Sequence, residues 1–140
     1  MDIRTYRDTD QQAVADLWRE VFPDAPAHNV PERDIAIKLA VQRELFFVAT
    51  EGAQLVGTAM AGFDGHRGWV YYLAVAPEHR RRGIGKALMN HAEHALYSAG
   101  CPKLNLMIRA GNEDVVAFYR RLGYEIEDRI CMARKLGGDE

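Results

Sequence analysis

Arg80, Arg81, Arg82 and Lys86 crowd around Gly83 and Gly85 in the run Val75-Ala-Pro-Glu-His-Arg-Arg-Arg-Gly-Ile-Gly-Lys-Ala-Leu88, where an apolar stretch gives way to an amphipathic one. A helix N-terminus already carries partial positive charge from its unpaired N–H groups, so each cation added there costs roughly a few tenths of a kcal/mol. A phosphate or pyrophosphate reverses that cost, because it accepts the first-turn amides and neutralises the side chains. Gly83 and Gly85 leave bare backbone for its approach. The alternative is a solvated basic turn whose glycines only hinge the loop into the helix.

Other reactive side chains are scattered. Asp64 and His66 lie on an Asp-Gly turn, which needs no catalytic explanation, and Glu78 follows the apolar stretch. His91 and His94 share a helical face without a third ligand, so no metal site is expected. Cys101 and Cys131 form neither a CxxC motif nor a disulfide framework. Cys101 is expected to be structural, a covalent cysteine mechanism being the alternative.

The elements that must position these groups follow from periodicity. Asp2 to Arg7 reads as a short edge strand, and Thr9 or Asp10 offers an N-cap to a helix from Asp10 to about Phe22, with Val14, Leu17, Trp18 and Val21 on one face. Pro23 to Pro31 is a loop, and a second helix from Pro31 to about Arg43 turns Ile35 and Leu39 inward. Strands follow at Leu45 to Thr50, Leu55 to Phe63 and Trp69 to Ala76, the second kept thin by Gly57, Ala59, Ala61 and Gly62. The third is apolar on both faces and is expected to lie centrally.

After the basic turn, Ile84, Leu88, Ala92, Ala95 and Ala99 define a helix stopped by Gly100, and Lys103 to Arg109 forms another strand. Strand, helix and strand make a βαβ unit with parallel strands. Asn112 caps a last helix through Leu122, Gly123 closes it, and Tyr124 to Leu136 is expected to form a terminal hairpin.

With 140 residues, one domain over residues 1–136 is expected, with a frayed tail at 137–140. The composition, 48% hydrophobic and 27% charged, is that of a globular protein, and a net charge of -2 excludes bulk nucleic-acid binding. No signal sequence or membrane span is visible, so a cytoplasmic protein is expected.

Three phosphate-binding patterns compete for the glycines. A Walker A loop needs a Ser or Thr after its Lys, and here Ala87 follows Lys86. A dinucleotide fingerprint needs a third glycine where Leu88 stands. Arg80-x-x-Gly83-x-Gly85 after an apolar strand does match one pattern: it resembles the pyrophosphate loop of the GNAT family, the acetyl-CoA-dependent N-acetyltransferases. Leu73-Ala74-Val75-x-Pro77 is similar to that family's central strand, and Asn112 with Ala117-Phe118-Tyr119-x-x-Leu122-Gly123-Tyr124 to its C-terminal block.

The resemblance implies a single-domain α/β (α+β) GNAT fold: a mixed, mostly antiparallel sheet of about six to seven strands with a central splayed parallel pair, and about four helices. It implies acetyl-CoA as cofactor. Arg80, Arg81, Arg82, Gly83, Ile84, Gly85 and Lys86 would hold the pyrophosphate, the backbone of Leu73, Ala74 and Val75 the pantetheine, and Asn112 a further contact. Acetyl would pass to a primary amine of a small molecule or peptide by direct attack, with Tyr119 as general acid. Many family members carry a Glu on the central strand and this chain does not, so the base stays open among Tyr71, Tyr72, Glu78, Asp64 and His66. An acyl-CoA-binding sensor without turnover is the rival reading. The acceptor-facing loops would be Pro23 to Pro31 and the terminal hairpin, and a homodimer could form through the C-terminal strands.

Overall fold

The computed structural model describes residues 1–25 and 30–137. The middle of the expected Pro23–Pro31 loop and the end of the tail lie outside the described residues. The chain divides into two compact units, Met1–Met107 and Ile108–Glu140.

The first unit runs β1 (Asp2–Thr5), α1 (Gln11–Val21), α2 (Pro31–Gln42), β2 (Phe46–Glu51), β3 (Gln54–Phe63), β4 (Gly68–Val75), α3 (Ile84–Ser98) and β5 (Leu104–Asn105). The sheet order is β1-β2-β3-β4-β5; the first three pairings are antiparallel and β4–β5 is parallel. The βαβ crossover therefore forms as its spacing requires. β5 is far shorter than the expected Lys103–Arg109 strand, because only Gly68↔Leu104 and Trp69↔Asn105 pair before the ladder ends.

α1 buries Val14, Leu17 and Trp18 at the expected spacing. Trp18 stacks on Tyr72 of β4 at 3.7 Å between ring centroids and on Phe46 at 5.9 Å, and Tyr6 stacks on Phe46 at 4.7 Å. Such pairs add about 0.5–1.5 kcal/mol each beyond area burial. Asp10 precedes α1 but makes no side-chain cap bond. Its carboxylate instead accepts two bonds from Arg4, at 2.8 and 2.9 Å, and one from the Arg7 amide at 2.8 Å, which ties β1 to the start of the helix.

α2 buries Ile35 as its spacing predicts, but it also turns polar side chains inward. β2 begins, at Phe46, opposite Met60, and β3 continues to Phe63 beyond that pairing. Along that extension the Lys38 ammonium donates to the Ala61 carbonyl, and Gln42 bonds both the Phe63 carbonyl, at 2.9 Å, and its amide, at 3.1 Å. Two long polar side chains thus complete an edge that no strand among the described residues covers there, an arrangement that hydrophobic periodicity does not reveal.

α3 buries Ile84, Leu88, Met89, Ala92 and Leu96; the expected stripe through Ala99 ends one turn early, since Ala99 is exposed. Its first turns press on β3 at Gly57, where a Cβ would stand 2.9 Å from Leu88 Cδ1 and 3.0 Å from the Ala74 carbonyl. Gly68 plays the same part for Cys101, whose Sγ would stand 2.7 Å from a Cβ, so this thiol is packing.

In the second unit α4 (Glu113–Arg121) is capped by Asn112, whose side chain accepts the Val115 amide, and Gly123 follows at φ 97°. The terminal hairpin is not formed: among the described residues no strand lies within Tyr124–Leu136, so the sheet has five strands rather than six or seven, and the parallel pair lies at its end. Ile126, Ile130, Met132 and Leu136 remain exposed. A pleat needs a partner ladder and a buried face to persist.

The close approach at Gly57 makes a specific claim about how α3 is seated. Gly57→Ala should destabilise the fold by about 1–3 kcal/mol in urea unfolding, as overpacking does; an unchanged midpoint would show that α3 is free to shift.

Candidate functional site

β4 is interrupted before it reaches the basic loop. Thr58 faces Ala74 and Met60 faces Tyr71, so β4 carries one extra residue there, and Tyr72 adopts φ 53°. A non-glycine residue in this left-handed region costs about 1–3 kcal/mol and persists only where its surroundings impose it. Here the Thr58 hydroxyl donates to the Tyr72 carbonyl at 2.8 Å and accepts from Trp18 Nε1–H at 2.9 Å. The Tyr72 ring lies between Trp18 and Phe22, and its hydroxyl donates to Asp34 Oδ2 at 2.5 Å. Burial and the Asp34 carboxylate both push this phenol up, so it stays protonated.

Past the bulge, Ala74 and Val75 pair with β3, while on the other side the β5 ladder has already ended. Leu73, Ala74 and Val75 therefore present one backbone edge that no described strand covers. Ala74 is buried and Leu73 and Val75 are half-buried, so their side chains are core and only their peptide groups are on offer.

The chain then makes a short 3-10 turn, Pro77–His79, and enters α3 through two left-handed residues, Arg81 at φ 67° and Gly83 at φ 78°. Gly83 is the N-cap, and no side chain caps the helix. The first helical bond runs from the Ala87 amide to the Gly83 carbonyl, so the amides from Gly83 to Lys86 have no intrahelical acceptor. Nothing lies within 4 Å of where a Gly83 Cβ would be, which leaves open space before these amides.

Arg80, Arg81, Arg82 and Lys86 are all exposed, and none of the four pairs with a carboxylate among the described residues. Arg82 Nη1 lies 3.2 Å from His79 Nδ1. Bare amides, the positive helix end and four unpaired cations together make a cradle for a multivalent anion. This donor set fits the pyrophosphate of CoA.

The remaining sequence candidates fall elsewhere. Asp64 Oδ1 accepts the His66 and Arg67 amides at 2.8 Å each, and these bonds hold the carboxyl below its usual range; it builds the turn. His66 and Glu78 are exposed, and Tyr71 is 43% exposed. His91 packs edge-on against Phe47, and burial pushes its imidazole down.

In the second unit Asn112 and Tyr119 belong to the same helix, Asn112 as its cap. Tyr119 is 7% exposed, with its ring edge-on to Phe118 and Tyr124, and burial pushes its phenol up to about 12. At neutral pH it is a proton donor.

Sequence reasoning missed Asp34. No local spacing links it to Tyr72, 38 residues away.

Among the described residues no group of three or more His, Cys, Asp or Glu could hold a metal ion, and no helix is long and apolar enough to cross a membrane.

The chain is similar to acetyltransferases of Sodalis glossinidius (43% identity, covering 96% of this chain and 94% of that one) and Yersinia enterocolitica (42%, covering 100% and 99%). Its fold matches the aminoglycoside acetyltransferase AAC(6')-Iy in complex with a CoA-based bisubstrate analogue, at 20% identity and a TM-score of 0.80 over 97% of this chain and 98% of that one. It also matches the PaiA N-acetyltransferase of Thermoplasma acidophilum in complex with coenzyme A, at 18% identity and a TM-score of 0.78 over 92% of both chains. The model of the acetyltransferase (GNAT) family matches residues 11–124, which take in β2 to β5, the basic loop and α4. This chain, an acyltransferase, belongs to the GNAT acetyltransferase family.

Proposed function

We propose that the protein transfers acetyl from acetyl-CoA to a primary amine of a small molecule or peptide, by direct attack with donor and acceptor bound together. The observation that carries this reading is the uncovered edge of β4 followed, after one 3-10 turn, by the cation-lined start of α3, which no side chain caps. Acetyl-CoA, when bound, supplies an activated thioester carbonyl.

The amides from Arg82 to Lys86, with Arg80 and Arg81, would hold the pyrophosphate, and Asn112 would add a contact. The backbone of Leu73, Ala74 and Val75 would pair with the pantetheine arm as an added strand does. One of their N–H groups would face the carbonyl oxygen as negative charge develops on it, a donor typically worth about 3 kcal/mol. Tyr119, protonated at neutral pH, would donate to the leaving thiolate. Both solved relatives named above are acetyltransferases described with CoA-type ligands, which supports the donor. The curated relatives bear the name acetyltransferase, which favours turnover over a sensor role.

Acetyl-CoA incubated with a panel of primary amines and short peptides should give acceptor-dependent release of CoA. Tight acetyl-CoA binding with no release on any acceptor would overturn the enzymatic reading.

The anion cradle is tested by Gly83→Asp, which adds a carboxylate beside the pyrophosphate and should raise the Kd for CoA at least about tenfold, roughly 1.4 kcal/mol. Gly83→Ala imposes only the left-handed strain and should cost less. Equal affinities in all three proteins would move the anion site elsewhere. Tyr119→Phe should lower kcat about 10²–10⁴-fold while leaving the Kd for CoA in place. Parallel losses in both would reduce Tyr119 to packing.

A further inference from the structure

The family resemblance leaves the proton acceptor open, and β4 offers no carboxylate of its own. The structure brings one to that strand from another element. Asp34, half-buried in the first turn of α2, accepts the Tyr72 hydroxyl at 2.5 Å, a length typical of charge-assisted O–H···O⁻ bonds. Tyr72 directly precedes Leu73–Val75, the peptide edge along which the proposed thioester would lie. Its strained backbone is fixed by Thr58 and its ring by Trp18, so the phenol is held in one place.

Three features set this pair apart from the other candidate bases. The Tyr72 phenol donates to a carboxylate at 2.5 Å, so a second proton acceptor stands directly behind the first. Asp34 makes no ion pair among the described residues, so its charge is not already neutralised. Its partial exposure gives an acquired proton a route to water. Asp64, by contrast, is committed to turn amides, and Glu78 and His66 are solvated without a partner that would aim them.

We propose that Tyr72 and Asp34 form the proton-accepting pair for the acceptor amine, Tyr72 touching the amine nitrogen and Asp34 acting through it as the positioning and terminal acceptor group. This inference rests on the acetyl-transfer reading above. The amine enters in its neutral form and its lone pair forms the new C–N bond. As that bond forms, an N–H becomes strongly acidic. Its proton passes to the Tyr72 oxygen while the phenol proton passes to Asp34 Oδ2, so Tyr72 ends as it began, a neutral phenol. The C–S bond breaks, the electron pair leaves on sulfur, and the thiolate takes a proton from Tyr119 or water. Asp34 returns its proton to solvent. A phenol that stays protonated is a poor base alone; the carboxylate behind it is what lets it accept.

The test compares wild type, Tyr72→Phe and Asp34→Asn, with acetyl-CoA and two nucleophiles: the best primary amine of the panel, and hydroxylamine, whose conjugate acid is a much stronger acid, so that its proton is lost with less help. Tyr72→Phe keeps the stack on Trp18, and Asp34→Asn keeps an acceptor for the phenol, so both variants should fold, with a lowered unfolding midpoint from the lost or weakened bond, and CoA affinity should hold. Turnover with the primary amine should fall about 10²–10⁴-fold in both variants, and that loss should shrink at least about tenfold with hydroxylamine. Variants with wild-type turnover, or with equal losses on both nucleophiles, would overturn the relay while leaving acetyl transfer standing. A wild-type protein that acetylates neither nucleophile would overturn acetyl transfer, and the relay with it.

Discussion

A left-handed tyrosine inside a β-strand is the constraint on which the rest of the first unit depends. Tyr72 adopts φ 53° and adds one residue to β4 against β3. The strain, about 1–3 kcal/mol, is comparable to what opposes it: a buried hydrogen bond from Thr58, worth about 1 kcal/mol, and the Trp18 stack, worth about 0.5–1.5 kcal/mol. The bulge is therefore held by a network, since no single contact exceeds its cost. That network draws on α1 through Trp18, on α2 through Asp34 and on β3 through Thr58. Three elements are thus oriented on one distorted peptide, and the residues after it form the edge assigned to the acetyl donor.

The second constraint is electrostatic. Cations at a helix N-terminus oppose the helix dipole, and here they also lack carboxylate partners among the described residues. Natural surfaces usually blunt such charge with nearby acids. Leaving it uncompensated, beside an uncapped turn and a glycine with open space before it, makes the loop a poor stabiliser of the apo fold and a ready anion cradle. Proximity to β4 gives this charge its use: an anion held there fixes one end of a long ligand whose other end can lie along the strand.

What the sequence made legible follows the reach of each signal. The basic loop was readable because its residues are consecutive; of its two glycines Gly83 stands at φ 78° at the helix start, and Gly85 lies inside the first turn of α3. α1, α3 and the Asn112 cap were readable from periodicity and cap chemistry. Thr58 and Tyr72 were not, because their partners lie on other elements; Trp18 meets Thr58 across 40 residues, and Asp34 meets Tyr72 across 38. α2 hid part of its role because Lys38 and Gln42 are polar side chains turned inward to complete a sheet edge. The terminal hairpin failed because a local stretch such as Tyr124–Leu136 does not show whether a partner ladder and a buried face exist, and Ile126, Ile130 and Met132 are left exposed.

The central claim is that one ligand spans the α3 N-terminus and the uncovered edge of β4. A crystal structure of the complex with CoA tests it most directly. The account predicts pyrophosphate oxygens within hydrogen-bond distance of the amides from Gly83 to Lys86, and a pantetheine amide paired with the backbone of Leu73–Val75. CoA bound with its pyrophosphate away from that helix end, or with its pantetheine off the β4 edge, would contradict it.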